Sequence, residues 1–325
     1  MGIKNHPGTP KESTEAISSV GTHSTTPFRS GGMPPTSDEL IEDEVLDFLS
    51  KPYQSEYDPK GVARFLLGRI NNRLISENTT NELKGQRAHR PLKALPPAVI
   101  ATCILHRELK HTGLIGESEA TAELVTYEDA GPDEGLYVPA EQRIRRLARQ
   151  YHYTISSKDL NAVVESVRDS VSLLTENKDG NIVGLANGLF DLRSKKLLPF
   201  SPKVVLRTKA SVAFREDATT CPVIKGWSVD EWIRELANNN LDVEKLFWQV
   251  IAALFRPDHP FDKAVLLYSS TGSNGKGTFL ELLRHLVGVD RVATLSMSGF
   301  GKPFLPPSLL NCFAVLSDEN KVGDF

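Results

Sequence analysis

Residues 264–281 read Ala-Val-Leu-Leu-Tyr-Ser-Ser-Thr-Gly-Ser-Asn-Gly-Lys-Gly-Thr-Phe-Leu-Glu, and no other stretch narrows the fold as far. Ala264 to Leu267 is an apolar run of the kind a buried strand uses. A small-residue loop fills Ser269 to Gly275, and a helical pattern begins at Lys276. Strand, glycine loop and helix is the setting in which loop amides and a helix N-terminus converge on a polyphosphate. The Lys276 ammonium would reach the β- and γ-phosphates as a point charge. The match to G-x-x-x-x-G-K-[ST] departs at both ends, because Ser270 stands in the first glycine position and Gly277 in the hydroxyl position. Gly272 still lets the loop curl, and Thr278 offers a hydroxyl one residue late. Alone, the stretch reads equally as a glycine-rich turn with no ligand.

A second apolar run, Cys312-Phe-Ala-Val-Leu316, ends on Ser317-Asp318-Glu319-Asn320. A buried strand delivering adjacent carboxylates about 40 residues after Lys276 has the form of a Walker B strand. Asp318 would hold Mg²⁺ and Glu319 would polarise the attacking water, the two tasks of phosphoanhydride hydrolysis. A strand closed by a polar turn is the plain alternative for this segment by itself. The two patterns in this order favour nucleotide binding.

The remainder divides by composition and period. Residues 1–38 are rich in Gly, Pro, Ser and Thr and carry too little apolar surface to offset their ordering entropy, so a disordered tail is expected. Residues 39–115 form a helical region, with apolar spacing through Leu40, Val45, Leu46 and Leu49, then Val62, Phe65, Leu66 and Ile70, and another helix opening at Pro96-Pro97. Between them, Leu83 to Lys93 reads as an exposed basic connector. Residues 116–225 form an α+β domain. Strands at 124–127 and 136–138 precede a helix over 141–151 whose Arg143, Arg145, Arg146 and Arg149 read as a solvated face, with phosphate contact the rarer use. A helix from Ser157 to Leu174 follows, then strands flanking Asn187-Gly188, the strongest short turn dipeptide. Residues 226–260 make a helical collar, with Ser228 and Glu231 as a capping box and Asp242 capping the second helix. Residues 261–325 carry the phosphate loop, with Gly288 ending its helix.

The whole chain excludes several classes. Its net charge of −3 and 24% charged residues create no global basic field. Cys103, Cys221 and Cys312 lack zinc-type spacing and read as reduced packing residues. No apolar run approaches the roughly 20 residues a bilayer span needs, and the N-terminus has no signal-peptide core. A soluble, cytoplasmic protein is expected.

Gly272-Ser-Asn-Gly-Lys-Gly-Thr-Phe-Leu280 resembles the phosphate loop of the phage and plasmid primase-helicase family, superfamily 3 helicases related to the poxvirus replication ATPase. Leu316-Ser-Asp-Glu-Asn320 resembles its Walker B strand. Asn187 to Leu192 through Pro202, and Thr126 to Tyr137, are similar to the domain that precedes the helicase in these proteins, so the likeness covers about residues 120–325. It implies an α/β P-loop NTPase with an incomplete parallel sheet, preceded by a mainly helical α+β domain. It implies ATP and Mg²⁺ as cofactors. Gly272, Ser273, Asn274, Gly275, Lys276, Gly277 and Thr278 would bind nucleotide, Thr278 and Asp318 would serve the metal, and Lys276 and Glu319 would be catalytic. It also implies a homo-hexameric ring when complete, with single-stranded DNA and replication proteins as partners. The family continues past Walker B with a DNA-contacting hairpin, a sensor asparagine and an arginine finger, whereas this chain stops at Phe325. A C-terminally truncated portion with an open sheet edge and negligible turnover is therefore the expectation.

Two other classes use the same features. A nucleotide or small-molecule kinase shares the loop but transfers phosphate to an acceptor. A non-catalytic replisome interaction module would carry a vestigial loop that binds no nucleotide.

Overall fold

The computed structural model describes residues 35–83, 88–218, 220–256, 263–268, 274–296, 299, 309 and 312–317. Residues 1–34 of the tail expected over 1–38, the loop residues Gly272 and Ser273, and the carboxylates Asp318 and Glu319 lie outside the described residues. Thr36, Ser37 and Asp38, placed in that tail, instead cap and open the first helix.

Five helices carry the front of the molecule: α1 (Ser37–Leu49), α2 (Pro59–Leu83), α3 (Pro97–Arg107), α4 (Glu141–Tyr151) and α5 (Ser157–Ser170). α1 starts on a capping box. Thr36 accepts from the Glu39 amide, and the Glu39 side chain reaches back to the Thr36 amide, so two orphan donors are satisfied. The apolar stripes of all five helices meet in one cluster that includes Phe48, Leu66, Ile70, Ile104, Ile144 and Val163. A fully buried Leu or Ile contributes about 1.5–3 kcal/mol relative to exposure, so this cluster is the chief stabilising unit.

The described part of the basic connector is strapped down rather than free. Asn71 Nδ2 donates to the Leu92 carbonyl at 2.9 Å while its Oδ1 accepts from the Leu92 amide at 2.7 Å. Asn78 repeats the pattern on His89, at 2.9 and 2.5 Å. Seven residues of helix rise roughly 10.5 Å and three extended residues span roughly 10 Å. Two asparagines on one face of α2 thus act as the neighbouring strand for the connector.

Three short strands, β1 (Thr112–Ile115), β2 (Glu123–Tyr127) and β3 (Tyr137–Pro139), form an antiparallel sheet in that order against the helices. A second antiparallel sheet holds β4 (Ile182–Leu185), β5 (Gly188–Asp191) and β6 (Lys196–Leu198). Its first turn sits one residue earlier than the Asn187-Gly188 expectation. Leu185 pairs with Gly188, which leaves Ala186 and Asn187 as the turn. Gly188 belongs to the ladder because a Cβ there would lie 2.5 Å from the Leu198 carbonyl oxygen, too close for any other residue.

α6 (Val229–Leu236) starts where Ser228 accepts from the Glu231 amide, and Asn238 and Asn239 stop it in left-handed conformations. α7 (Leu241–Leu254) follows, and the residue that caps it is Asn240, not Asp242: Asn240 Oδ1 accepts from the Asp242 and Val243 amides. Then come α8 (Lys276–Val287), β7 (Val292–Ala293) and β8 (Ala314–Val315), the last two paired in parallel. This back part docks on the second sheet. Val287 and Phe313 share a cluster with Val183, Leu185 and Ala210, the Ser211 amide donates to the Val287 carbonyl at 3.2 Å, and Arg291 pairs with Asp133. Among the described residues no helix is long and apolar enough to cross a membrane.

Candidate functional site

The described part of the expected phosphate loop opens on Asn274 and turns into α8 at Gly275. Gly275 is the N-cap, with φ +84°, and a Cβ added to it would sit 2.5 Å from Leu236 Cδ2. The left-handed backbone favours glycine here, and any side chain would also push the Leu236 tip of α6 aside. A glycine cap has no side chain to bond the first helix amides. Lys276 is half-buried, and its Nζ donates to Asn274 Oδ1 at 2.9 Å. Among the described residues it has no carboxylate partner. Gly277 is exposed, and a Cβ built on it would meet nothing within 4 Å, so the fold itself does not require glycine there. Thr278 is exposed one turn-position further on.

The apolar side of α8 fixes this arrangement. Phe279 and Leu283 are buried with Ile233 of α6, and the Phe247 ring of α7 lies edge-on to Phe279 at 4.8 Å. Leu316, the residue after β8, packs into the same cluster. The structure thus brings the loop helix, the collar helices and the end of the last apolar run into one core. The wall that α6 and α7 contribute was not foreseen, although the apolar face of α7 at Phe247 and Val250 carried the signal.

The expectation of a strand over Ala264 to Leu267 fails. Residues 263–268 run as irregular chain, and Leu266 is 65% exposed. An apolar run becomes a strand only when another strand offers it a ladder, and β7 and β8 pair with each other instead. Between this segment, α7 and the start of α8 lies a groove of about 340 Å³ with apolar walls and Asn274, Gly275 and Lys276 at one end.

Elsewhere several polar side chains serve the fold. Arg143 pairs with Glu128, and Arg145 with Glu141 at 2.9 Å. Under α3, the Tyr151 hydroxyl donates to both Glu108 carboxylate oxygens at 3.0 and 3.1 Å, and Arg107 reaches the Tyr57 carbonyl at 2.6 Å. Burial pushes the Glu108 carboxyl above its usual range and the neighbouring Cys103 thiol up to about 12, so Cys103 is a packing residue.

Five packed helices and two small antiparallel sheets, followed by helices α6 to α8, set out a mixed α+β protein. The family described as D5 N terminal like matches residues 54–233, more than half of the chain, and the chain belongs to it. That family is the N-terminal region of phage and plasmid primase-helicase proteins, which act in DNA replication. No curated protein matches the chain.

Proposed function

We propose that this chain is the ATP-binding portion of a phage-type superfamily 3 DNA helicase, with residues 261–325 forming part of an α/β P-loop domain behind the D5-like region. The observation that carries the reading is the junction at Gly275 and Lys276. A left-handed glycine opens α8 without a side-chain cap, and among the described residues the lysine beside it leans on an amide oxygen and on no carboxylate. An amide oxygen is a weaker acceptor for an ammonium than a phosphate oxygen, so Lys276 can exchange one for the other.

These residues fit a polyphosphate. The loop amides and the α8 N-terminus supply partial positive charge, Lys276 supplies a full one, and the space over Gly277 leaves room for a body brought from outside. Thr278 and Asp318 would hold Mg²⁺, which when bound offsets phosphate charge. Asp318 and Glu319 follow Leu316 by two and three residues, and Leu316 packs against α8, which supports their service to the same site. Glu319 would orient a water for attack, with ATP as the substrate. In this reading the working assembly is a hexamer moving on single-stranded DNA with other replication proteins.

Lys276→Ala tests the proposal. Charge-assisted contacts to phosphate are worth about 1.5–3 kcal/mol, so ATP-Mg²⁺ affinity measured by calorimetry should fall by roughly tenfold to a hundredfold or vanish. Unchanged affinity would overturn the assignment. Phosphate transfer to an added acceptor in preference to water would indicate a kinase. A wild-type chain that binds a replication protein but no nucleotide would be the interaction module.

A further inference from the structure

The corner between α4 and α5 carries a feature that the phosphate loop does not explain. Tyr153 sits there 89% exposed, although Tyr127, Tyr137 and Tyr151 of the same region are all buried. The ring is presented by a firm turn. Tyr151, two residues before it, is anchored by its bonds to Glu108, and Ile155, two residues after, packs on the main core while its amide donates to the His152 carbonyl at 3.1 Å. On α4, Arg143 and Arg145 have carboxylate partners, whereas Arg146 and Arg149 are exposed with none among the described residues. Those two arginines stand three apart and share a face, and Arg149 lies in the last turn before Tyr153. Across the turn, Lys158 is exposed in the first turn of α5; the one carboxylate close to it in sequence, Asp159, is bonded to Ser156 at 2.8 Å.

We propose that this corner binds single-stranded nucleic acid, with Tyr153 stacking on a base and Arg146, Arg149 and Lys158 facing the backbone phosphates. An exposed aromatic ring on a firm turn, with exposed cations on the helix turns before and after it, is the pairing that sequence-tolerant single-strand sites use. The ring has only two side-chain torsions to restrain, so little conformational entropy opposes stacking. Duplex is a poorer fit, because its bases are already stacked and hidden from a protruding ring. The site lies in the D5-like region and makes no use of the nucleotide loop, so it stands or falls independently of the ATP reading.

The test is fluorescence anisotropy of the whole chain with a labelled oligothymidylate, without nucleotide, over a salt series. Tyr153→Ala should weaken binding about tenfold, and Tyr153→Trp should restore it, since stacking needs the ring and not the hydroxyl. Arg146→Glu with Arg149→Glu should weaken binding further and flatten the plot of log affinity against log salt by roughly 1.4. Lys178→Glu with Lys203→Glu, two exposed lysines elsewhere, makes the same charge change and should cost far less. Thermal melts should be unchanged in all four, because none of these side chains is buried. The proposal is overturned if wild type fails to bind, if the corner variants bind as wild type does, or if the lysine control loses as much. Preference for duplex, or for an acidic peptide, over the oligothymidylate overturns it as well.

Discussion

The helices in front and the elements behind carry similar apolar sequence but bury it very differently. α1 to α5 close on one another, so that Phe48, Val62, Ile70 and Ile104 are wholly inside. α7 is more apolar in sequence than any of them yet has no buried residue, and Leu246 on it is 54% exposed beside the groove. Apolar spacing therefore states which side of a helix can be buried, while only the partners determine whether it is. The front supplies its own partners and accounts for stability. The back is organised around one helix start and keeps its apolar wall accessible.

The sharpest way to break this comparison is to delete the same kind of side chain in each region. Ile104→Ala removes a fully buried group and should cost about 2–5 kcal/mol in chemical denaturation. Leu246→Ala should cost less than about 0.5 kcal/mol, as surface changes usually do. Equal losses would show that the back is as closed as the front.

Much of the front was legible in the sequence because its helices use a plain 3.6-residue period. Val62, Leu66 and Ile70 are fully buried and announced α2, whereas Phe65 of the same row is 38% exposed and Leu46 on α1 is 57% exposed. The strap was not legible: Asn71 and Asn78 look like solvent-side residues until the extended chain at 89–92 is laid beside them. Asn78→Ala leaves the His89 amide and carbonyl without their partners and should cost about 1–2 kcal/mol. Faster hydrogen exchange at the His89 amide would accompany it. In the back, the helix beginning at Lys276 was readable, as was Gly288 at its end. The strand at 264–267 was misjudged because pairing is a property of neighbours that no local pattern carries.

A smaller effect separates the regions by pH. Burial raises the Glu108 carboxyl, and the Tyr151 hydroxyl and Arg107 return only part of that shift. A group raised on folding contributes stability that is full below its unfolded value and lost as pH climbs through its folded value. Glu108→Gln should therefore gain on wild type as pH rises from acid to neutral, and the gap should close again in acid. Denaturation at several pH values measures it, and a gap independent of pH would place Glu108 in water.

The smallest change in stability falls at the helix start that organises the back. Gly275→Ala meets Leu236 and a positive φ, so it must lose stability, but Gly277→Ala meets open space. Replacing glycine by alanine in a helix contributes up to about 0.5–1 kcal/mol, and less near an end. Gly277→Ala should therefore melt at the wild-type temperature or slightly above it. If the space over Gly277 belongs to a phosphate group, the same methyl should weaken ATP-Mg²⁺ binding in calorimetry while the fold holds. A gain in stability together with a loss of affinity would mean that glycine at 277 answers to a ligand, as Gly275 answers to the fold. A gain in stability with affinity intact would return the loop to an ordinary helix start.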